Sequence, residues 1–323
     1  MESAALCPSF EEAARHFSRL SGVPMSDTTA HDLMQLYGGR QVAQETAAAQ
    51  AAALPPARGV PGPGPDASQV PERVAVSQDG TTILTRAGYK EVKISSISLF
   101  ELQREQERTK KTKQLHQHSY CAGLWDHDTL NDHFWWDLVR RRADRSPCQT
   151  ALGDAAPWIW SNFGVTVPQA HQLIDWYHGL DYFWRVANTL FGEQTPAGAA
   201  WMDKRETELW EAQFPALRDA LLATQPTSEK GQTAVRCALA YLVEHELRLQ
   251  YPAFRAAGYP LGSGTVESAC NMLVGWRMKH RGQRWTDKGA NAVLAVRCAV
   301  LSDRWLLAWP SIYWPKGQSP ATS

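Results

Sequence analysis

An α/β fold is predicted for this 323-residue chain by three observations. Strand-like alternation recurs between Arg73 and Ile174, helical spacing falls between the later strands, and the run from Gly179 to about Pro252 is helical throughout. The length suffices for one large domain or two smaller ones, each able to bury a core.

Near the start, Phe10, Ala13, Ala14 and Phe17 recur at helical spacing before Ser21-Gly22-Val23-Pro24 breaks the helix. A second helix, capped by Ser26 or Asp27, carries Ala30, Leu33, Met34 and Tyr37 and is expected to stop at Gly38-Gly39. Residues 1–40 therefore read as a helix-turn-helix-like segment, a pattern that suits a DNA-reading motif and an ordinary helical hairpin equally well. Residues 41–72 are rich in Ala, then in Pro and Gly, and read as a linker. Arg73 to Ser77 alternates, Thr81 to Thr85 is β-prone, and Glu91 to Leu99 alternates around Val92, Ile94 and Ile97. These segments predict a three-strand antiparallel meander, with Asp79-Gly80 as a hairpin signal. Arg104, Arg108, Lys110, Lys111 and Lys113 read as a solvated loop or hairpin tip, with a role against DNA phosphates as the alternative. Asp132 to Ala143 predicts a helix whose Arg140-Arg141-Arg142 suits the negative end of its dipole. Gln149 to Gly153 and Ala170 to Ile174 predict two more short strands. Residues 311–323 form a tail.

Lys plus Arg and Asp plus Glu number 33 each, so a DNA-binding surface would have to come from local segregation of charge. Most of the 14 Trp residues fall in helical stretches and are expected to be core; Trp285, inside a basic segment, is the exception. Six isolated cysteines without a Cys-x-x-Cys pair, and the lack of a secretory segment, indicate a reduced intracellular protein. No apolar run approaches membrane-spanning length, so no membrane is expected as a partner. His116, His118, Cys121, His127 and His133 have a spacing that matches no common zinc site.

Three acidic residues stand in distinctive settings. Asp79 and Asp154 follow strand-like stretches, and Glu267 follows the helix-start signal Gly262-Ser263-Gly264. The bland readings are a turn residue, a cap for Ala155-Ala156-Pro157 and a dipole-favouring Glu. Their coincidence points instead to a convergent metal-binding triad. Carboxylates brought together need cations, and hard oxygen ligands suit Mg²⁺ or Mn²⁺, two ions serving phosphodiester chemistry. Asp175 and His178 follow closely and would share a helical face as accessory groups. Val266, Ala269, Cys270, Leu273 and Val274 form the apolar face of the helix that follows Gly262-Ser263-Gly264, leaving Glu267 and Asn271 at its margin. The cations Arg277, Lys279, Arg281 and Arg284, with Trp285, are the predicted DNA contacts.

Five ordered strings resemble the DDE transposases of bacterial insertion sequences, most closely the ISKra-type family and more distantly the Mutator-like transposases. They are Asp79-Gly80, Lys90-Glu91-Val92-Lys93, Gly153-Asp154-Ala155-Ala156-Pro157-Trp158-Ile159-Trp160, Asp175-Trp176-Tyr177-His178, and Gly262 through Ala269. The resemblance, spanning Arg73 to Trp309, implies that the catalytic and metal-binding triad falls on Asp79, Asp154 and Glu267, and the Asp-x-x-His signature on Asp175 and His178. It implies a ribonuclease-H-like core (residues 73–178 and 253–310) interrupted by an all-helical insertion (residues 179–252). It further implies metal-dependent cleavage and strand transfer at an insertion sequence's terminal inverted repeats, with transposon and target DNA as partners. A homo-oligomer on DNA and a cytoplasmic, nucleoid-associated location are expected with it. The family carries a longer region ahead of the core, so a truncated or inactive DNA-binding derivative is the competing expectation, and a simple nuclease a third.

Overall fold

Five strands set the architecture of this computed structural model, which describes residues 1–53, 70–102, 115–262 and 264–313. β1 (Arg73–Thr85) and β2 (Gly88–Phe100) form a long antiparallel hairpin, and β3 (Leu115–Gly123) extends it beyond β2. β4 (Cys148–Gly153) and β5 (His171–Ile174) are parallel to β1 on its other side, giving the order β3-β2-β1-β4-β5. The expected α/β class is therefore present as a five-stranded mixed sheet.

Asp79-Gly80 is not the hairpin turn. Asp79 pairs with Ile94 and Gly80 with Lys93 in the middle of the ladder, and the chain reverses at Arg86-Ala87. Gly88 follows with φ of +106°, a conformation that favours glycine. Continuing the ladder to Thr85 pairs the backbone along the whole of β1, which a turn at Asp79-Gly80 would forfeit. The basic stretch Arg104 to Lys113 lies outside the described residues.

Helices cover both faces of the sheet. In chain order they are α1 (Glu2–Leu6), α2 (Phe10–Ser21), α3 (Asp27–Leu33), α4 (Gly39–Ala53), α5 (His127–Arg141), α6 (Pro157–Thr166), α7 (Trp176–Phe191), α8 (Pro196–Trp210), α9 (Phe214–Ala223), α10 (Glu229–His245), α11 (Tyr251–Ala256), α12 (Gly264–Ala269), α13 (Trp276–Met278), α14 (Asp287–Leu301) and α15 (Trp305–Tyr313). Val74 and Val76 of β1 pack with Phe134 and Leu138 of α5 and with Ile159 and Phe163 of α6 in one core, which runs on into α7–α11. Ile83, Val92 and Ile94 pack with Val266, Leu273 and Leu294 in a second core, on the side of the sheet that carries Asp79. The helical block expected over residues 179–252 begins earlier and ends later, at Trp176 and Ala256. Pro252 does not end it, because proline near the start of a helix costs no hydrogen bond.

The amino-terminal segment departs most from expectation. The second predicted helix runs as α3, then a π-helical stretch Met34–Gly38, and continues through Gly38-Gly39 as α4 to Ala53. The Ala-rich part of the expected linker is thus helix, as the high helix propensity of alanine allows; residues 54–69 of that linker lie outside the described residues. Gly38 is required by close packing, since a Cβ there would sit 2.7 Å from the carbonyl oxygen of Ala292 in α14. Gln41 donates to the Ala295 carbonyl at 3.0 Å, Trp135 to the Ala52 carbonyl at 2.9 Å, and Arg304 to Glu45 at 2.9 Å. One face of the segment is therefore committed to α5 and α14. At the other end, α15 extends into the predicted tail as far as Tyr313. No helix among the described residues is long and apolar enough to cross a membrane.

Candidate metal centre

Sheet register brings three aspartates to one level. Ser77 of β1 pairs with Leu152 of β4, and Gly153 pairs with Ile174 of β5. Carried forward, the same register aligns Asp79 with Asp154 and Asp154 with Asp175. Adjacent strands lie about 4.8 Å apart, so the three residues form a row across the carboxyl ends of β4 and β5.

Local hydrogen bonds fix each of them. Asp79 Oδ1 accepts from Gly80 N at 2.7 Å, and its Oδ2 accepts from the Cys270 thiol at 3.2 Å. Asp154 Oδ1 accepts from Ala156 N at 2.7 Å, closing the turn that leads into α6. Asp175, fully buried, caps α7 by accepting from Tyr177 N at 2.8 Å and His178 N at 3.3 Å. Trp176 N donates to the Leu261 carbonyl at 2.9 Å, which holds the approach to α12 beside the start of α7. Helix α12 then passes over β1 and β2 and delivers Glu267 to the same place.

His178 joins these elements. Its Nδ1 lies 3.2 Å from Asp181 Oδ2 and its Nε2 lies 3.7 Å from Glu267 Oε1. Asp175, His178 and Glu267 offer ligand atoms all within 4.8 Å of one another, so this group can hold a metal ion. The set is mixed: its two carboxylates suit hard ions such as Mg²⁺ or Mn²⁺, and its imidazole suits Zn²⁺ or Fe²⁺.

Burial and the neighbouring carboxylates shift the titration of these groups. Burial, helped by the nearby Asp154 charge, raises the Asp79 pKa above the usual carboxyl value, against the opposing effects of the Cys270 and Gly80 hydrogen bonds. Burial would lower the His178 pKa, but Asp175, Asp181 and Asp154 outweigh it and raise it. Burial and the Asp79 carboxylate both raise the Cys270 pKa, so this group remains a thiol and a donor. A bound cation would relieve the surplus of negative charge.

The expected trio is only partly the one that the structure assembles. Asp79 accepts from Cys270 on the helix that carries Glu267, Glu267 lies 3.7 Å from His178, and Asp154 directly follows β4. Yet among the described residues the group spaced to share one ion is Asp175, His178 and Glu267. The residues expected as accessories thus belong to the ion-spaced group with Glu267, because Asp175 sits at the cap of α7 and His178 reaches Glu267 at 3.7 Å. Cys270 was expected only as part of a buried face; its spacing of three from Glu267 on one helix is the signal that links them. His116, His118, Cys121, His127 and His133 assemble no metal-spaced group among the described residues.

Two predicted DNA contacts are structural instead. Arg277 is 1% exposed, lies 4.4 Å from the Phe10 ring centroid and 5.1 Å from that of Trp285, and donates to the Pro8 carbonyl at 3.2 Å. Trp285 is buried because the chain folds back to the end of β1, where its backbone exchanges hydrogen bonds with Leu84 and Arg86 and its indole donates to Met278. Lys279, which donates to Thr81 at 2.6 Å, is exposed, as are Arg281 and Arg284. No protein-family model matches this chain and no curated protein matches it, so the functional reading rests on the site itself.

Proposed function

We propose that this chain is a DDE transposase with a ribonuclease-H-like core, cutting the ends of an insertion sequence and joining them to target DNA. The observation that carries this reading is that Asp154 and Asp175 directly follow the last paired residues of β4 and β5, beside the stretch of β1 that carries Asp79, with α12 packed over β1 and β2 bringing Glu267 to His178. An antiparallel meander leading into two parallel strands, with β1 in the middle and a helical block before α12, agrees with it.

In this reading Asp79, Asp154 and Glu267 would hold two divalent ions, Mg²⁺ or Mn²⁺, with Asp175 and His178 beside them. Such ions supply Lewis acidity toward an attacking water and a departing oxygen. Asp175 fixes the direction of α7 through its cap, and His178 steadies the Glu267 carboxylate. Lys279, Arg281 and Arg284 bind backbone phosphates. Water adds to phosphorus and loses a proton; the P–O3′ bond breaks and the 3′ oxygen becomes a hydroxyl. That hydroxyl then displaces a 3′ oxygen at a target phosphodiester, without a covalent enzyme intermediate. Terminal inverted repeats are the substrate, and a homo-oligomer pairs two ends.

The test compares the intact chain with Asp154→Asn on DNA that carries the ends of its own element, in Mn²⁺. The expected result is cleavage and strand transfer by the intact chain and a loss of at least a hundredfold in the variant. Equal activity would discard the mechanism, and cleavage without joining would make the protein a nuclease.

A further inference from the structure

The helix that carries Glu267 does not stop there. It continues from α12 through a π-helical stretch, Cys270–Gly275, into α13. In an uninterrupted α-helix, the positions that follow Glu267 and Asn271 on one face would be 274 or 275 and then 278. Val274 and Met278 are buried instead, and Trp276 and Lys279 come to the surface in line with Glu267 and Asn271. The wider turn adds one residue and so rotates Trp276 onto the stripe. Arg297 of α14 holds the bulge open by donating to the carbonyls of Met272 and Leu273, and it also reaches the Ala5 carbonyl. Such bulges recur at functional sites.

The result is an indole 68% exposed on the surface that carries Glu267. Lys279, His280, Arg281 and Arg284 follow it closely and are exposed too. An exposed aromatic face among cations matches a nucleic-acid strand, whose bases stack and whose phosphates pair with the cations.

We propose that Trp276 is a stacking platform for an unpaired DNA base next to the cleavage point, which makes the substrate of this site a locally opened duplex rather than an intact one. This rests on the transposase reading above. At about 1.5 Å per residue, Trp276 stands on the order of 13 Å along the helix from Glu267. With bases about 3.4 Å apart along a strand, the stacked base lies roughly three to four nucleotides from the scissile phosphate.

The experiment uses the full chain and duplexes of the element's own end, with 2-aminopurine placed singly at each of the first five positions on either side of the cut. Binding is followed by fluorescence and cleavage by gel in the same samples. Trp276→Ala is expected to weaken binding about tenfold and to abolish the signal change at one or two positions inside the predicted window, while Trp276→Phe keeps most of both. Opening those positions with mismatches should rescue neither loss. If Trp276→Ala binds as tightly as the intact chain with an unchanged 2-aminopurine pattern while Mn²⁺-dependent cleavage persists, the stacking role is wrong and the transposase reading stands. An intact chain that binds but never cleaves overturns the underlying reading instead. Self-association that Trp276→Ala abolishes in the absence of DNA would assign the ring to a contact between copies and would also overturn the proposal.

Discussion

Asp79 shows how one residue can cost stability for the sake of a site. Burial and the neighbouring Asp154 raise its pKa, so the folded chain binds this proton more tightly than the unfolded chain does. Between the ordinary carboxyl range and the raised value, the stability contributed by this group therefore falls as pH rises. At neutral pH the ionised carboxylate is a burden that a cation would lift. Asp79→Asn is accordingly expected to raise the melting temperature of the metal-free protein by roughly 2 °C. Its gain on adding Mn²⁺ should be smaller than that of the intact chain, as differential scanning calorimetry in EDTA and in Mn²⁺ would measure. A lower melting temperature in EDTA would show that the Cys270 and Gly80 hydrogen bonds to this carboxylate outweigh its burial.

Elements decide which cations face solvent. The segment after α13 turns back on β1, and Trp285 joins the edge of the hairpin there; this buries Arg277 between two aromatic rings and leaves Arg281 and Arg284 outside. Substituting the buried guanidinium should act on folding, and substituting the exposed ones on binding. Arg277→Ala is expected to lower unfolding stability by roughly 2 kcal/mol in urea titration through lost packing and cation–π contact. Under the proposed function, Arg281→Ala and Arg284→Ala should leave the urea midpoint unchanged and each reduce the salt dependence of DNA affinity by about one unit of slope. The sequence alone placed these residues in one basic group, because the backbone reversal that separates them depends on pairing with Leu84 and Arg86, two hundred residues earlier in the chain.

For the whole molecule, the amino-terminal helices are part of the fold. Arg304 is buried and pairs with Glu45 of α4 at 2.9 Å, within electrostatic reach of Asp137 of α5, which accepts from Ser119 of β3 at 2.6 Å and from Arg140. Burial works against the charge of Asp137, but Arg140 and Arg304 hold its pKa below the usual value. Glu45→Ala would leave Arg304 with one partner fewer in a dry setting, and a loss on the order of 3 kcal/mol is expected by urea unfolding. Arg304→Met in the same background should recover part of it. A segment that worked as an independent DNA-reading head would tolerate Glu45→Ala without change.

The sequence by itself determined the α/β class and located β2, β4, β5 and the long helical block, but it read β1 as two strands, gave no sign of β3 (Leu115–Gly123), and took most of α4 for linker. What it located comes from local periodicity, caps and short strings such as Asp175-Trp176-Tyr177-His178, which need no distant partner to be read. Tertiary structure alone decided that Asp79 lies within a strand, that Asp175 and His178 share the ion-sized group with Glu267, and that Trp276 rather than Trp285 meets solvent. Each of those outcomes depends on sheet register, on a π-turn held by an arginine from another helix, or on long-range pairing, and none of these leaves a local periodic signal in the chain.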